Sequence, residues 1–345
     1  MNHFKLAGNA YFLTNIGRIY MKTRRLLGNG KTNYYHLVSH SARNDPIFWD
    51  EEKLYFQKLI RRMEKFTGVQ VLTYCIMPDH FHVLVKITEC NELSDKELLE
   101  RMNEYYSRPM VEKIRETYKE LKESAKKEGN EDALNAWRKR YLDRMGSLTC
   151  FGQGLKEVFS KWYNRKEGRT GCLWAGLFKS VLVEGSELAL LTTAAYIDLN
   201  PVRAKLVKDP KDYPFCGYGE AMGGEPLAKL GISTSSQLKT SDWNKALALY
   251  QTYLFGEGKE IDFEQIKEAL ESKGKLSLQE LLNCQTRYFS SGVAIGSKQF
   301  LEEVFKTNRA FFGENRKNGA RKIKIINEPL YCLRDLKKEP IRIPI

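Results

Sequence analysis

The cleanest hydrophobic alternation in the chain runs over residues 80–87. Phe81, Val83, Val85 and Ile87 fall on one face, and His80, His82, Leu84 and Lys86 on the other. That period predicts a strand. Residues 69–76 predict a second, joined to it through the tight turn Met77-Pro78-Asp79. Upstream, 34–41 is β-rich and Asp45-Pro46 interrupts it. Leu54, Leu59, Ile60 and Met63 then form an apolar stripe at helical spacing, which predicts a helix over 51–66 with Asp50 as N-cap and Gly68 as its stop.

Residues 91–149 carry dense charge of both signs and little β propensity, and predict a helical hairpin broken near Gly129-Asn130. A further helix is expected over 156–164 and a last strand over 178–184. Ser186 is placed to cap a helix over 187–199, with Leu188, Leu191, Ala195 and Leu199 as its buried stripe. Tyr196, Thr193 and Asn200 lie on the neighbouring flank, and Pro201 biases Asn200 out of the helix. Glycines at 217, 219, 223 and 224 introduce a soft linker, assigned to 220–239. From 240 the pattern is helical, with Asp242 as a cap and capping boxes at Asp262/Gln265 and Ser277/Glu280. Ser291-Gly292 and Gly296-Ser297 fall between apolar helical patterns in the manner of a helix-turn-helix. The domain plan is therefore a basic lead-in over 1–33, a domain over 34–219 with the 91–149 insertion, the linker, and an all-α region over 240–345 that includes a basic run at 315–324.

Charge changes this picture. Among 345 residues, 56 Lys and Arg stand against 43 Asp and Glu, a net charge of +13. The surplus points to a polyanionic partner, nucleic acid before an anionic membrane surface. No run of 18 apolar residues predicts a membrane span, and the first 21 residues lack a signal-peptide core. Seven scattered cysteines without a CxxC pair suggest reduced thiols and a cytoplasmic protein.

The candidate chemistry lies in the alternating strand. Residues two apart on a strand point the same way about 6.6 Å apart, so His80 and His82 can reach one divalent cation as half of a metal site, a spacing that chance also produces. Tyr196 with Asn200 at i+4 offers a phenol and a metal-ligating amide on one helix face. Lys86 shares the histidine face, and Arg203 follows the helix stop; both suit phosphate, as solvated or end-capping roles also would. Lys161-Trp162-Tyr163-Asn164-Arg165-Lys166 interleaves aromatics with bases, a pattern that suits stacking on bases, although a lone Trp-Tyr pair is more often core.

Four stretches together resemble the REP-associated tyrosine transposases of the single-tyrosine HUH superfamily: YHLVSHSARNDPIF (35–48), TYCIMPDHFHVLVKI (73–87), FSKWYNRKEGRTGCLWAGLFKSVLVE (159–184) and AAYIDLNPVRAKLV (194–207). The resemblance implies an α+β, ferredoxin-like antiparallel sheet of the HUH nuclease type. It implies His80, His82 and Asn200 as ligands of Mg²⁺ or Mn²⁺, and Tyr196 as the nucleophile that forms a 5′-phosphotyrosine on single-stranded or hairpin DNA. DNA contacts are expected from Lys86, Arg203, Lys161, Arg165 and Arg43. The protein is expected to be monomeric or homodimeric, nucleoid-associated and free of membrane. A catalytically idle DNA-binding regulator and a water-using metal hydrolase are the competing classes. His40 departs from the resemblance, standing where these proteins often carry Arg, and the 91–149 insertion lengthens the interval between His82 and Tyr196.

The charge surplus carries its own prediction. Binding to a single-stranded hairpin DNA should weaken steeply as salt rises, because each phosphate neutralised by Lys or Arg releases condensed counterions. Affinity measured by fluorescence anisotropy across a salt series checks it, and a flat response would remove the polyanion argument.

Overall fold

The computed structural model describes residues 21–22, 25–90, 93–255, 289, 292–323, 329–334, 336 and 339–340. Strand β1 (Thr32–His40) leads into α1 (Asp50–Thr67), then the hairpin β2 (Gln70–Ile76) and β3 (His80–Thr88). The predicted turn is there: Met77 N–H bonds the His80 carbonyl at 2.8 Å. The N-cap of α1 is Trp49 rather than Asp50, and its N–H is held by the Glu52 carboxylate at 3.2 Å. Gly68 closes the helix with φ of 70°, a left-handed turn that suits glycine.

The insertion holds three helices where two were expected: α2 (Asp95–Tyr105), α3 (Arg108–Glu128) and α4 (Asp132–Leu142). Ser94 and Glu97 form a capping box that starts α2, a signal hidden within the charged pattern. Helix α5 (Leu148–Lys166) returns the chain to β4 (Lys179–Val183), and α6 (Glu187–Asp198) and the single turn α7 (Asn200–Arg203) follow.

The strands β2-β3-β1-β4 are neighbours in that order and all antiparallel. This is the α+β, ferredoxin-like arrangement, with the crossover helices α1 and α5 packed on one face. Phe56, Ile60, Phe81, Val83, Val85 and Phe159 build the core there. On the opposite face Leu72, Cys75, Leu84 and Val181 meet α6 and the helices after it. Helix α6 is accordingly buried all round from Ala189 to Asp198 rather than along one stripe.

Beyond α8 (Gly217–Met222), two expectations are corrected. The stretch read as a soft linker contains α9 (Pro226–Ser235), packed on β2. Its small residues are close-contact residues: a Cβ on Gly231 would lie 2.3 Å from the Leu72 carbonyl oxygen. The region after residue 240 is not all-α either. Helix α10 (Trp243–Phe255) packs against α6 and α9, but β5 (Ala294–Gly296) pairs in parallel with β4. After α11 (Lys298–Thr307), β6 (Arg321–Lys322) and β7 (Tyr331–Leu333) complete a mixed seven-stranded sheet ordered β2-β3-β1-β4-β5-β7-β6. Strands of two or three residues are too short for an alternation to register. The segment between Gly292 and Gly296 is thus a strand, not the turn of a helix-turn-helix. The capping boxes at 262/265 and 277/280, Ser291 and most of the basic lead-in lie outside the described residues.

Asp198 locks α6 to its surroundings. Its buried carboxylate accepts from Thr73 Oγ1 on β2 at 2.8 Å, from the Tyr218 N–H on α8 at 3.2 Å and from the Tyr250 hydroxyl on α10. Burial nevertheless pushes its pKa up to about 6 from 3.8, against these hydrogen bonds.

Two predictions follow from this packing. Gly231→Ala should lower unfolding free energy by about 1–3 kcal/mol in a urea melt, because the obstructing atoms belong to the β2 backbone and yield little. A raised carboxyl pKa contributes stability that is complete below pH about 4 and lost as pH rises through about 6. The stability of the parent relative to Asp198→Asn should therefore fall across that window. A constant difference between the two would exclude Asp198 as the titrating group.

Candidate active site

The site grows out of the register between β1 and β3. His40 pairs with His80, Val38 with His82 and His36 with Leu84. Directly paired residues of antiparallel strands face the same way, and side chains two apart do too. Four of the five histidines of the chain therefore stand on one face of the sheet. The ring of His40 stacks on that of His80 at 4.8 Å between centroids, and the ring of His36 on that of His82 at 5.0 Å.

His80 and His82 come together as expected, with ring centroids 5.0 Å apart and planes nearly perpendicular. Each is held through Nδ1. The Nδ1 of His80 meets Asp79 Oδ1 at 2.6 Å, and the Nδ1 of His82 meets His36 Nε2 at 2.8 Å. The bond from His80 holds the Asp79 carboxyl below its ordinary range. Burial drives the pKa of His36 down to about 4, and burial together with the charge of its neighbours drives that of His82 well below the ordinary histidine range.

Helix α6 lies over this face and brings Tyr196 to it. The Tyr196 ring stands 6.1 Å from that of His82 and 6.2 Å from that of His36, and Phe289 packs on it at 4.7 Å. The side chain is 6% exposed, deeper than its expected place on a helix flank. Arg203 places its guanidinium over the Tyr196 ring at 4.4 Å and donates from Nη2 to the Tyr196 carbonyl oxygen. It thus caps the end of α6 while putting positive charge against the phenol. Asn200 turns Nδ2 back to the carbonyl oxygens of Tyr196 and Ile197, at 3.1 and 3.0 Å, so that its amide caps the end of α6.

The donor set fits a divalent cation. Two imidazoles oriented through Nδ1 present Nε2, and hydrogen-bonded outer partners of this kind are what metal-binding histidines use. Among the described residues, His40, Asp79 and His80 also form a group whose ligand atoms all lie within 4.8 Å of one another. His36, His40, Asp79 and Phe289 are neighbours of the site that the sequence reading did not assign to it. The signal for the first two was the count of histidines alone.

The other expected DNA contacts are dispersed. Lys86 is half-buried on the histidine face, paired with Tyr34 two strand positions beyond Leu84. Arg43 is exposed just past β1, in a left-handed turn with φ of 62°. Arg165 is exposed on α5, and Lys161 beside it is engaged by Glu157 at 2.5 Å. The aromatics between them face inward: Trp162 stacks on Tyr55 at 4.0 Å and Tyr163 is buried. Helical spacing turns alternate members of that stretch to the core, so its aromatics are not an open stacking platform. In the basic run, Arg316 lies over the rings of Phe305 and Phe312, where it packs rather than extends.

Among the described residues no helix is long and apolar enough to cross a membrane. Comparison with curated protein sequences finds no match. Among solved structures, one at 13% identity and a TM-score of 0.31, spanning 62% of this chain and 90% of the other, is described as "Structure of the REP associates tyrosine transposase bound to a REP hairpin". Residues 30–142 match the family described as "Transposase IS200 like". That interval begins before β1, contains the histidine-bearing hairpin and ends with α4.

Proposed function

We propose that this protein is a metal-dependent single-strand DNA endonuclease and strand transferase that acts beside a DNA hairpin through a 5′-phosphotyrosine. The observation that carries the reading is the seating of a helix-borne tyrosine, Tyr196, on the sheet face that carries His80 and His82. The transposase family match over 30–142 supports the class of reaction.

His80, His82 and Asn200 would hold Mg²⁺ or Mn²⁺, with Asp79 behind His80. Such a cation would supply Lewis acidity for a scissile phosphate. Because the ligands are two neutral imidazoles and one amide, they cancel none of its charge. The Tyr196 oxygen attacks phosphorus as the phenol gives up its proton to water. The bond from phosphorus to the 3′ oxygen breaks, and that oxygen takes up a proton to leave a 3′-OH. The phosphotyrosine ester keeps the energy of the broken bond, so a second 3′-OH can displace Tyr196 and complete strand transfer without ATP. Arg203, over the tyrosine ring, is positioned to balance phosphate charge in this exchange. Arg43, Lys86, Lys161 and Arg165 are assigned to the DNA backbone, and residues 240–345 to added affinity for it. The expected setting is cytoplasmic and nucleoid-associated, with a monomer or homodimer as the acting unit.

The decisive experiment is mass-spectrometric mapping of the DNA-linked peptide after incubation with single-stranded hairpin DNA and Mn²⁺. The adduct should fall on Tyr196. Tyr196→Phe should abolish both adduct and cleavage while changing stability by about 1 kcal/mol or less. His80→Ala and His82→Ala should remove cleavage and leave hairpin binding. An adduct on another tyrosine would refute the assignment. Cleavage without an adduct would favour a water-using hydrolase, and binding without cleavage an idle regulator.

A further inference from the structure

His36 has no role in the reaction just described, yet it makes a direct polar contact with the His82 ring. Its Nε2 lies 2.8 Å from His82 Nδ1, and its own Nδ1 lies 2.9 Å from the backbone carbonyl oxygen of Phe289. A carbonyl oxygen only accepts, so the Nδ1 of His36 carries a hydrogen. In a neutral imidazole the other nitrogen is then an acceptor. The contact at 2.8 Å therefore requires His82 to donate from Nδ1, which leaves the His82 lone pair on Nε2. Both rings are buried, a setting that favours their neutral forms.

We infer that His36, anchored by the Phe289 carbonyl, is a positioning residue that holds His82 in its Nδ1–H form and presents Nε2 as the ligand atom. The inference rests on the metal-dependent reading above for its purpose, but the tautomer itself follows from the contacts and the burial of the two rings. His80 reaches the same state by a different device, since the acceptor behind its Nδ1 is the Asp79 carboxylate. The two imidazoles of one strand are thus aimed by two unlike partners, an anion at the more open position and a neutral ring at the buried one. A carboxylate in place of His36 would bring an unpaired charge into the buried layer, at a cost that a neutral acceptor avoids.

The anchor also draws the C-terminal region into the site. Phe289 stands 253 residues from His36, and through one residue it holds the His36 ring by its carbonyl and packs on the Tyr196 ring by its side chain. The affinity role assigned above to residues 240–345 would then be joined by a role in shaping the metal ligands.

Long-range ¹H–¹⁵N spectra of the histidine rings in the full-length, metal-free protein test this directly. The expected result is an Nδ1–H tautomer at His82. His36→Phe keeps a buried ring but removes the acceptor, so the tautomer preference of His82 should be lost. Mn²⁺ affinity, read by titration without DNA, should fall by about 10- to 100-fold. His36→Gln, whose side-chain oxygen can accept where Nε2 did, should recover most of both. An Nε2–H tautomer at His82 in the parent protein overturns the inference, as does an unchanged tautomer in His36→Phe. The parent spectrum decides the matter even if a variant fails to fold. If the tautomer behaves as expected while His82→Ala binds Mn²⁺ as tightly as the parent, the relay stands and the metal-dependent reading falls.

Discussion

The pairing of β1 with β3 puts His40 across from His80 and Val38 across from His82, and the contacts among the histidine rings descend from that register. A slip of one residue would turn Phe81, Val83 and Val85 toward α6 and the histidines into the core under α1 and α5. The hydrophobic alternation that makes β3 a strand thus also sets which way its imidazoles face. Burial of the apolar set beneath the crossover helices opposes such a slip, so the core and the candidate chemistry are specified by the same pattern.

The second layer turns this face into a site. Helix α6 has to approach the sheet closely enough for Tyr196 to meet His82, and Asp198 ties it there through contacts to β2, α8 and α10. A buried carboxylate with three donors is a costly anchor, as the raised pKa of Asp198 shows. It differs from a hydrophobic contact in being directional, which suits a helix whose rotation decides where its tyrosine points. Close approach of α9 at Gly231 and the addition of β5 beside β4 extend the same layer and sheet with residues far along the chain.

The surface is organised differently. Most ion pairs on the helical insertion and on α5 lie one turn apart and exposed, a class that contributes little to stability. Such charges leave the net surplus of the chain intact as a long-range attraction for phosphate. The candidate site lies in the enclosed layer between the sheet and α6, where low exposure strengthens each polar contact.

Several features were legible in the residues themselves: the β2–β3 hairpin, the shared face of His80 and His82, the helix bearing Tyr196 with its stop before Asn200, and the α+β class. All rest on short-range periodicity, turn chemistry and the local motif that carries the family resemblance. The linker and the all-α C-terminal region were misread because small residues and three-residue strands acquire meaning only from what they touch. Gly231 looks like flexibility until the β2 backbone is beside it, and Ala294–Gly296 looks like nothing until β4 offers its edge. The partners of the paired histidines were out of reach for the same reason. His36, His40 and Phe289 are separated from His82 by tens to hundreds of residues, and only strand register and the packing of the C-terminal region bring them to it.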